Sequence, residues 1–142
     1  MKSAFLCFAF SFFLIFQSCA PNQVDENIKR REEIIAIHDE VMPKMGQLKS
    51  LEKTALQMST DISNSSTPDE SKIQELKNLA LELDQAYEDM FVWMRQYEVE
   101  DGDQTPEAVK TYLDDQMKLI TEVNQKIKVT LTKADSLLKV NQ

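Results

Sequence analysis

Apolar residues recur at intervals of three and four along three long stretches of the chain, the spacing of one face of an α-helix. The predicted helices span residues 25–59, 68–98 and 106–140. Polar stretches at 60–66 and 99–104 separate them and indicate loops. This pattern predicts an all-α protein, an antiparallel up-down-up three-helix bundle with coiled-coil-like packing.

The apolar stripes predict which side chains face neighbouring helices. Ile28 begins the stripe of the first helix and Met94 lies near the end of the second. Asn124 occupies a stripe position of the third helix, where a buried polar residue usually fixes register at some cost in stability. Pro43 lies inside the first helix and lacks a backbone donor, so we expect a kink there.

Capping signals mark two helix starts. Thr67 is expected to cap the second helix, with Pro68 at its first position and Glu70 closing a capping box. Thr105 and Pro106 repeat the cap-and-proline start for the third helix. Opposite charges four positions apart are expected to pair on the helix surfaces: Glu40 with Lys44, Asp114 with Lys118, and Glu122 with Lys126.

The N-terminal segment has the pattern of an export signal. Lys2 precedes an apolar run over residues 4–16, which is shorter than the roughly 20 residues that span a bilayer. Ser18 before Cys19 resembles the lipobox of bacterial lipoproteins, although Phe16 and Gln17 differ from its commonest form. The resemblance implies a lipoprotein signal peptide over 1–18 and lipid on Cys19. The alternative is an ordinary cleaved signal with an incidental cysteine.

The remaining chain divides into a tether over 19–24 and the bundle over 25–142. The formal net charge is −8, which argues against nucleic acid as a partner and leaves membrane attachment to the lipid on Cys19. The other cysteine, Cys7, lies in the signal, so no disulfide is expected. These features predict a protein of the bacterial cell envelope, facing the periplasm or the cell surface, and we favour the outer over the inner membrane.

Acidic residues concentrate between residues 82 and 107, where there are nine acidic residues and one basic residue, Arg95. Four of the acidic residues lie at or beside the second loop: Glu98, Glu100, Asp101 and Asp103. They suggest a docking surface for a basic envelope partner or a loose divalent cation site. The alternative is a solvated face. EF-hand spacing is absent, because a glycine role for Gly102 would put Tyr97 and Ala108 at ligand positions.

A second candidate site combines soft ligands. If the first two predicted helices fold back on each other about the loop at 60–66, His38 lies at the level of Tyr87 and Glu88 along the bundle axis. If the second and third fold back about the loop at 99–104, Met117 lies near the same level. Thioethers and one imidazole suit Cu(I), whereas methionine is also an adaptable core filler, so packing is the competing interpretation. The candidate copper ligands are His38, Met42, Met45, Met90 and Met94.

Little in the sequence favours catalysis. His38 is the single histidine, which excludes the usual multi-histidine zinc and di-iron sites. Only two glycines occur in the sequence, and no nucleophile motif accompanies the adjacent histidine, aspartate and glutamate at residues 38–40. We therefore expect that the protein is not an enzyme and has no resident cofactor, unless Cu(I) is bound.

Two short segments carry a further resemblance. Residues 38–45 (His-Asp-Glu-Val-Met-Pro-Lys-Met) and 89–94 (Asp-Met-Phe-Val-Trp-Met) resemble stretches of small bacterial lipoproteins, some of which are named viral A-type inclusion protein. The resemblance implies the helical architecture and the envelope address, and it carries no activity. The functional expectation is a lipid-anchored, non-catalytic binding or scaffolding module. The alternative is a periplasmic or surface lipoprotein that handles copper(I).

Overall fold

A computed structural model describes residues 22–139, and this part of the chain is all-helical, with no strand. The predicted signal peptide, the lipid site at Cys19 and the start of the tether lie outside these residues. The helices are α1 (Gln23–Val41), α2 (Met45–Ser63), α3 (Glu70–Gln96) and α4 (Pro106–Lys139). Between residues 22 and 139, no helix combines the length and apolar character needed to cross a membrane.

The first predicted helix is interrupted at Pro43, where a kink was expected. A short 3₁₀ turn, Met42–Lys44, separates α1 from α2. Pro43 has no N–H to donate to the Asp39 carbonyl, and the chain instead tightens so that the Met45 N–H bonds to the Met42 carbonyl. The interruption divides the packing, because α1 packs mainly on α4 whereas α2 packs mainly on α3. α3 also packs on α4. Three helical segments therefore pack together: the interrupted helix formed by α1 and α2, then α3, then α4.

The core follows most of the predicted stripes. In α4 the apolar stripe positions are buried or partly buried, and in α3 Leu79, Ala86 and Trp93 join the core beside the stripe. Two stripe predictions are wrong: Ile28 is 55% exposed and Met94 is 39% exposed. The reason is the same for both. α1 and the C-terminal end of α3 have only sparse backbone contact, so the faces between them are only partly covered.

The predicted cap of the second helix is also wrong. α3 begins at Glu70, and the cap is Asp69, whose carboxylate accepts a hydrogen bond from the Lys72 N–H at 3.0 Å. Asp69 is extended, which suits a cap residue and leaves Pro68 and Thr67 outside the helix. The cap at the start of α4 is confirmed, since Thr105 Oγ1 accepts from the Ala108 N–H at 3.3 Å.

Two buried asparagines join α1 to α4. Asn124, 6% exposed, donates to the Ile37 carbonyl and to Glu40, both at 3.0 Å. Asn27, also 6% exposed, donates to the Pro106 carbonyl at 2.8 Å. A buried amide that lost these acceptors would be destabilising, so each asparagine favours one alignment of the two helices.

The expected ion pairs within helices are replaced by other partners. Glu40 pairs with Lys128 of α4 at 2.6 Å, and this contact, with the Asn124 amide, lowers the pKa of Glu40. Asp114 binds Lys110, which is the main cause of its lowered pKa, and also Arg30 of α1 at 3.1 Å. Lys126 pairs with Asp89 of α3 at 2.6 Å. Most of these contacts link different helices, which helical spacing alone cannot anticipate.

Candidate functional site

The loop between α3 and α4 presents the four predicted acidic residues to solvent. Glu98, Glu100, Asp101 and Asp103 are all exposed. Gly102 has a φ of 56°, in the left-handed region where a residue without Cβ is not strained, and the Gln104 N–H closes the turn on the Asp101 carbonyl at 3.3 Å. The loop is a short, hydrogen-bonded turn that holds its carboxylates outward.

Arg31 of α1 braces this acidic loop. Its guanidinium donates to the Glu98 carbonyl at 2.7 Å and to the Tyr97 hydroxyl at 3.2 Å, and it forms an ion pair with the Asp101 carboxylate. From α4, the Tyr112 hydroxyl accepts from the Glu98 N–H at 2.6 Å. The loop is therefore tied to α1 and α4, and the carboxylate of Asp101 is already paired.

Sequence reasoning missed both bracing residues. Arg31 lies 70 residues from Asp101, and Tyr112 lies 14 residues from Glu98. No local pattern distinguishes Arg31 from its neighbour Arg30, which instead bonds to α4. These roles become visible only when α1, α3 and α4 are placed side by side.

A series of rings supports the acidic loop from within. His38 of α1 lies 5.6 Å from the Trp93 ring, and Trp93 stacks on Tyr97 with ring centroids 4.8 Å apart. Tyr97 in turn lies 6.3 Å from Tyr112, and the Arg31 guanidinium sits 5.7 Å above the Tyr97 ring. Burial raises the pKa of the Tyr97 hydroxyl, although Arg31 opposes that effect. Tilted and stacked aromatic contacts of this kind stabilise the packing at this end of the bundle.

The charge of the acidic segment is partly balanced by bases from other helices. Three carboxylates of α3 are paired in this way: Asp84 with Lys49, Asp89 with Lys126, and Glu82 with Lys133. The Lys49 ammonium binds Glu52 and Asp84, and both contacts raise its pKa. Within residues 22–139, the loop carboxylates Glu98, Glu100 and Asp103 have no ion-pair partner. The negative charge that has no ion-pair partner is thus more concentrated at the loop than the positions of the acidic residues in the sequence indicate.

Two adjoining surface grooves lie between α1 and the acidic loop. The larger, about 460 Å³, has Ile28, Ile35 and Ala36 among its lining residues and the carboxylates Glu32, Asp39 and Asp101 beside them. The smaller, about 200 Å³, shares Ile35 with it and is also lined by His38, Trp93, Met94 and Val99. We refer to the two together as the α1 groove. It combines an apolar floor with an acidic edge.

The structure divides the candidate copper ligands between surface and core. His38 and Met94 line the smaller groove, and His38 Nδ1 lies 2.8 Å from Asp39 Oδ1. Met90 is fully buried and Met45 is 6% exposed, both inside the apolar core, and Met42 packs against it. Among residues 22–139 there is no group of three or more histidine, cysteine, aspartate or glutamate side chains arranged to hold a metal ion.

The predicted position of His38 along the bundle axis is wrong. Its neighbour on α3 is Trp93 rather than Tyr87 or Glu88, and the adjacent Ile37 lies opposite Asn124 rather than Met117. Both pairings of the helices differ from the expected ones. Because α2 continues to Ser63 and α3 begins only at Glu70, the chain turns later than expected, which brings Trp93 to His38. The pairing of α3 with α4 is shifted too, since Asp89 meets Lys126 and Glu82 meets Lys133.

Comparison with known proteins returns no match among family descriptions, curated proteins or solved structures. The resemblance of residues 38–45 and 89–94 to small bacterial lipoproteins therefore stays a prediction.

Proposed function

We propose that this chain is a lipid-anchored lipoprotein of the bacterial envelope that acts as a non-catalytic binding or scaffolding module. The observation that carries the proposal is the acidic loop, whose carboxylates are exposed and whose backbone at Glu98 is held by Arg31 and Tyr112. A rigidly presented charged surface loses little conformational entropy when a partner binds. A basic envelope protein is the partner that this charge suits.

The proposed arrangement of the helices is up-down-up, with coiled-coil-like packing. The ion pairs support it: Arg31 meets Asp101 whereas the later Lys49 meets the earlier Asp84. The same inverse order relates α3 and α4, because Asp89 meets Lys126 whereas Glu82 meets Lys133. Opposite chain directions produce this order.

The proposed anchor orients the molecule. Asn27, near the start of α1, bonds to Pro106 at the start of α4, so the acidic loop lies at the same end as Asn22. A lipid on Cys19 would thus leave the acidic loop within a few residues' reach of the membrane, at roughly 3.5 Å per extended residue. Partners would be met close to the bilayer.

Anchoring is tested by Cys19→Ala and by globomycin, which blocks lipoprotein signal cleavage. We expect the wild-type chain to sediment with membranes and to be processed, and the variant to lose both properties. An ordinary secreted protein would be indifferent to both treatments, and that result would remove the lipoprotein part of the proposal.

Binding is tested by photocrosslinking in living cells. A photoreactive residue at Glu100 is expected to give a discrete crosslinked protein, since Glu100 is exposed in the acidic loop. The matched control is Thr60, an exposed residue near the end of α2. Equal crosslinking at both positions, or at neither, would argue against the acidic loop as the binding surface.

Copper(I) handling is a second candidate, favoured by the shared groove of His38 and Met94. The full candidate set of His38, Met42, Met45, Met90 and Met94 would require buried methionines to become accessible. A Cu(I) titration against a competing chelator tests it. Binding that weakens in His38→Ala and Met94→Leu would support this function, whereas affinity no better than micromolar, unchanged in both variants, would reject it.

A further inference from the structure

We propose that the α1 groove binds a basic amphipathic helix of a partner protein. This inference rests on the proposed binding function and names the surface and the chemistry of its partner. Acidic residues alone would suggest only a diffuse attraction for cations. The groove adds an apolar floor, so charge and shape together select a helix that is basic on one side and apolar on the other.

The apolar floor is unusually accessible. Ile28 is 55% exposed, Ile35 is 37% exposed and Val99 is 68% exposed. Ile28 and Ile35 are seven positions apart, so they lie on one face of α1, and Val99 approaches that face from the loop through the smaller groove. Isolated exposed apolar residues are common, whereas several lining one groove indicate a contact surface.

The edge of the groove is negatively charged. Three carboxylates, those of Glu32, Asp39 and Asp101, line the larger groove, and Arg31 is the only basic residue among its described lining residues. Arg31 and Asp101 form an ion pair and offset each other, so Glu32 and Asp39 leave the edge negative. The charge around the floor therefore favours lysine and arginine on the occupant.

The same charge disfavours two other occupants. A second copy of the chain would bring its own acidic edge against this one, and like charges at close range oppose association. Anionic lipid headgroups are repelled for the same reason. Of the three occupants, only a cationic amphipathic segment is complementary to both the floor and the edge.

The groove also has the dimensions of a short helix. From Ile28 to His38 it follows α1 for about 15 Å, at 1.5 Å per residue, which equals about three turns of a partner helix. An occupant with apolar residues at positions i, i+3 or i+4, and i+7 has a stripe about 10.5 Å long. That length matches the seven-residue separation of Ile28 and Ile35, and Val99 lies beside Ile35 in the smaller groove. Basic residues on either side of that stripe would lie near Glu32 and Asp39.

Occupancy of the groove is measured on the peptide. Trp93, the single tryptophan of the chain, lines the smaller groove but is only 3% exposed, so a helix lying over Ile35 and Val99 would change its surroundings little. The fluorescence anisotropy of a dye-labelled peptide reports binding directly.

The test uses the full chain on phosphatidylcholine vesicles and a synthetic Leu/Lys peptide designed as an amphipathic helix. An isomer of the same composition with scattered leucines is the charge-matched control. After subtraction of peptide binding to protein-free vesicles, we expect the anisotropy of the labelled amphipathic peptide to rise saturably with protein, with an affinity about tenfold higher than that of its isomer. Equal affinity of the two peptides for the protein, or no saturable rise, would overturn the proposal.

Variants assign the surface. Ile28→Gln with Val99→Gln removes apolar contact without changing charge, and we expect affinity to fall about tenfold. The matched control is Leu81→Gln with Val129→Gln, since Leu81 and Val129 are similarly exposed at 56% and 55%. Glu32→Lys should weaken binding and the exposed Glu122→Lys should not. Identical affinities for the groove and control variants would contradict the assignment.

Two further measurements would show whether the groove binds a different occupant. Dimerisation that is lost in the Ile28→Gln, Val99→Gln variant would assign the groove to a second copy. Sedimentation of the unlipidated Cys19→Ala chain with phosphatidylglycerol vesicles, if the same two substitutions abolish it, would assign the groove to lipid. Either result overturns the helix proposal. Vesicle sedimentation in the same experiment reports the lipid anchor independently, so failure of the anchor and failure of the groove are distinguishable.

Discussion

The two halves of the long helix that Pro43 divides are held in different ways. α2 packs mainly on α3 and buries Met45, Leu48 and Ala55 in the core. α1 packs mainly on α4, where polar contacts contribute much of the specificity, including those of Asn27 and Asn124. One half is secured chiefly by apolar burial and the other by burial together with hydrogen bonds.

This difference decides where the molecule can present a surface. On α2, apolar residues are largely used in packing against α3. On α1, Ile28 and Ile35 are left outside, and the gap toward α3 is bridged by Arg31 and His38 instead of by close helix contact. The half with less apolar packing carries the groove and supports the acidic loop, which fits the general observation that binding surfaces come from less tightly packed regions.

The largest effect is expected for Leu48→Ala in α2. Leu48 is fully buried, so loss of its side chain leaves a cavity and should lower the free energy of unfolding by about 2–5 kcal/mol. Chemical denaturation followed by circular dichroism measures the change. Ile35→Ala in α1 is the control, with an expected change below about 1 kcal/mol because Ile35 is partly exposed. Equal losses would show that Ile35 is packed in the core and is not part of an exposed surface of α1.

A smaller loss is expected for Asn124→Ala. The Ile37 carbonyl and Glu40 lose a buried donor, and unfolding free energy should fall by about 1–3 kcal/mol. Hydrogen exchange should rise more in α1 than in α2, because the lost contacts hold α1 to α4. Uniformly increased exchange along both helices would show that the amide acts on the whole bundle.

Arg31→Ala should have a modest effect on stability, about 1 kcal/mol, and a clear local one. The acidic loop loses its contacts from α1, so amide exchange at 98–104 should accelerate. Arg31→Lys should restore only part of the protection, because an ammonium cannot reproduce the several directed bonds of a guanidinium. Arg30→Ala is the neighbouring control. If Arg31→Ala leaves the amide hydrogen exchange of residues 98–104 unchanged, then Tyr112 alone holds the loop.

The smallest effect concerns pH. Ion pairing holds the pKa of Glu40 below 4.5 and that of Asp114 below 3.8, so both carboxylates favour the folded state when ionised. That contribution is complete above these ordinary values and is lost as pH falls through the lowered ones. Stability should therefore decline from about pH 4.5 downward. Glu40→Gln should make the decline shallower, whereas the exposed Glu122→Gln should leave the slope as it is.

Much of the fold was predictable because helical periodicity is a local property. The stripe of α4, the interruption at Pro43 and the cap at Thr105 all depend on residues within a few positions of one another. The cap of α3 was misassigned because Thr67 and Asp69 compete for the role within three positions. An aspartate at the end of an extended segment satisfied the Lys72 N–H, and local pattern could not choose between them.

The candidate site was only partly predictable. The acidic residues 98–103 are visible in the sequence, whereas Arg31, Tyr112 and the floor residue Ile28 were not recognised as parts of one region. The spacing of Ile28 fits the apolar stripe and therefore predicts a core position. Its exposure depends on how far α1 stands from α3, which is set by contacts elsewhere in the chain.

The sequence by itself determined the all-helical class, the irregularity at Pro43, most of the core and the acidic character of the second loop. The physical reason is that helix periodicity, capping and charge are short-range. Only the tertiary structure decided which helix each half of the long helix packs on, which charges pair, and that an apolar groove lies beside the acidic loop. Those features depend on distances between residues far apart in the chain, such as Arg31 and Asp101, and packing of whole helices sets those distances.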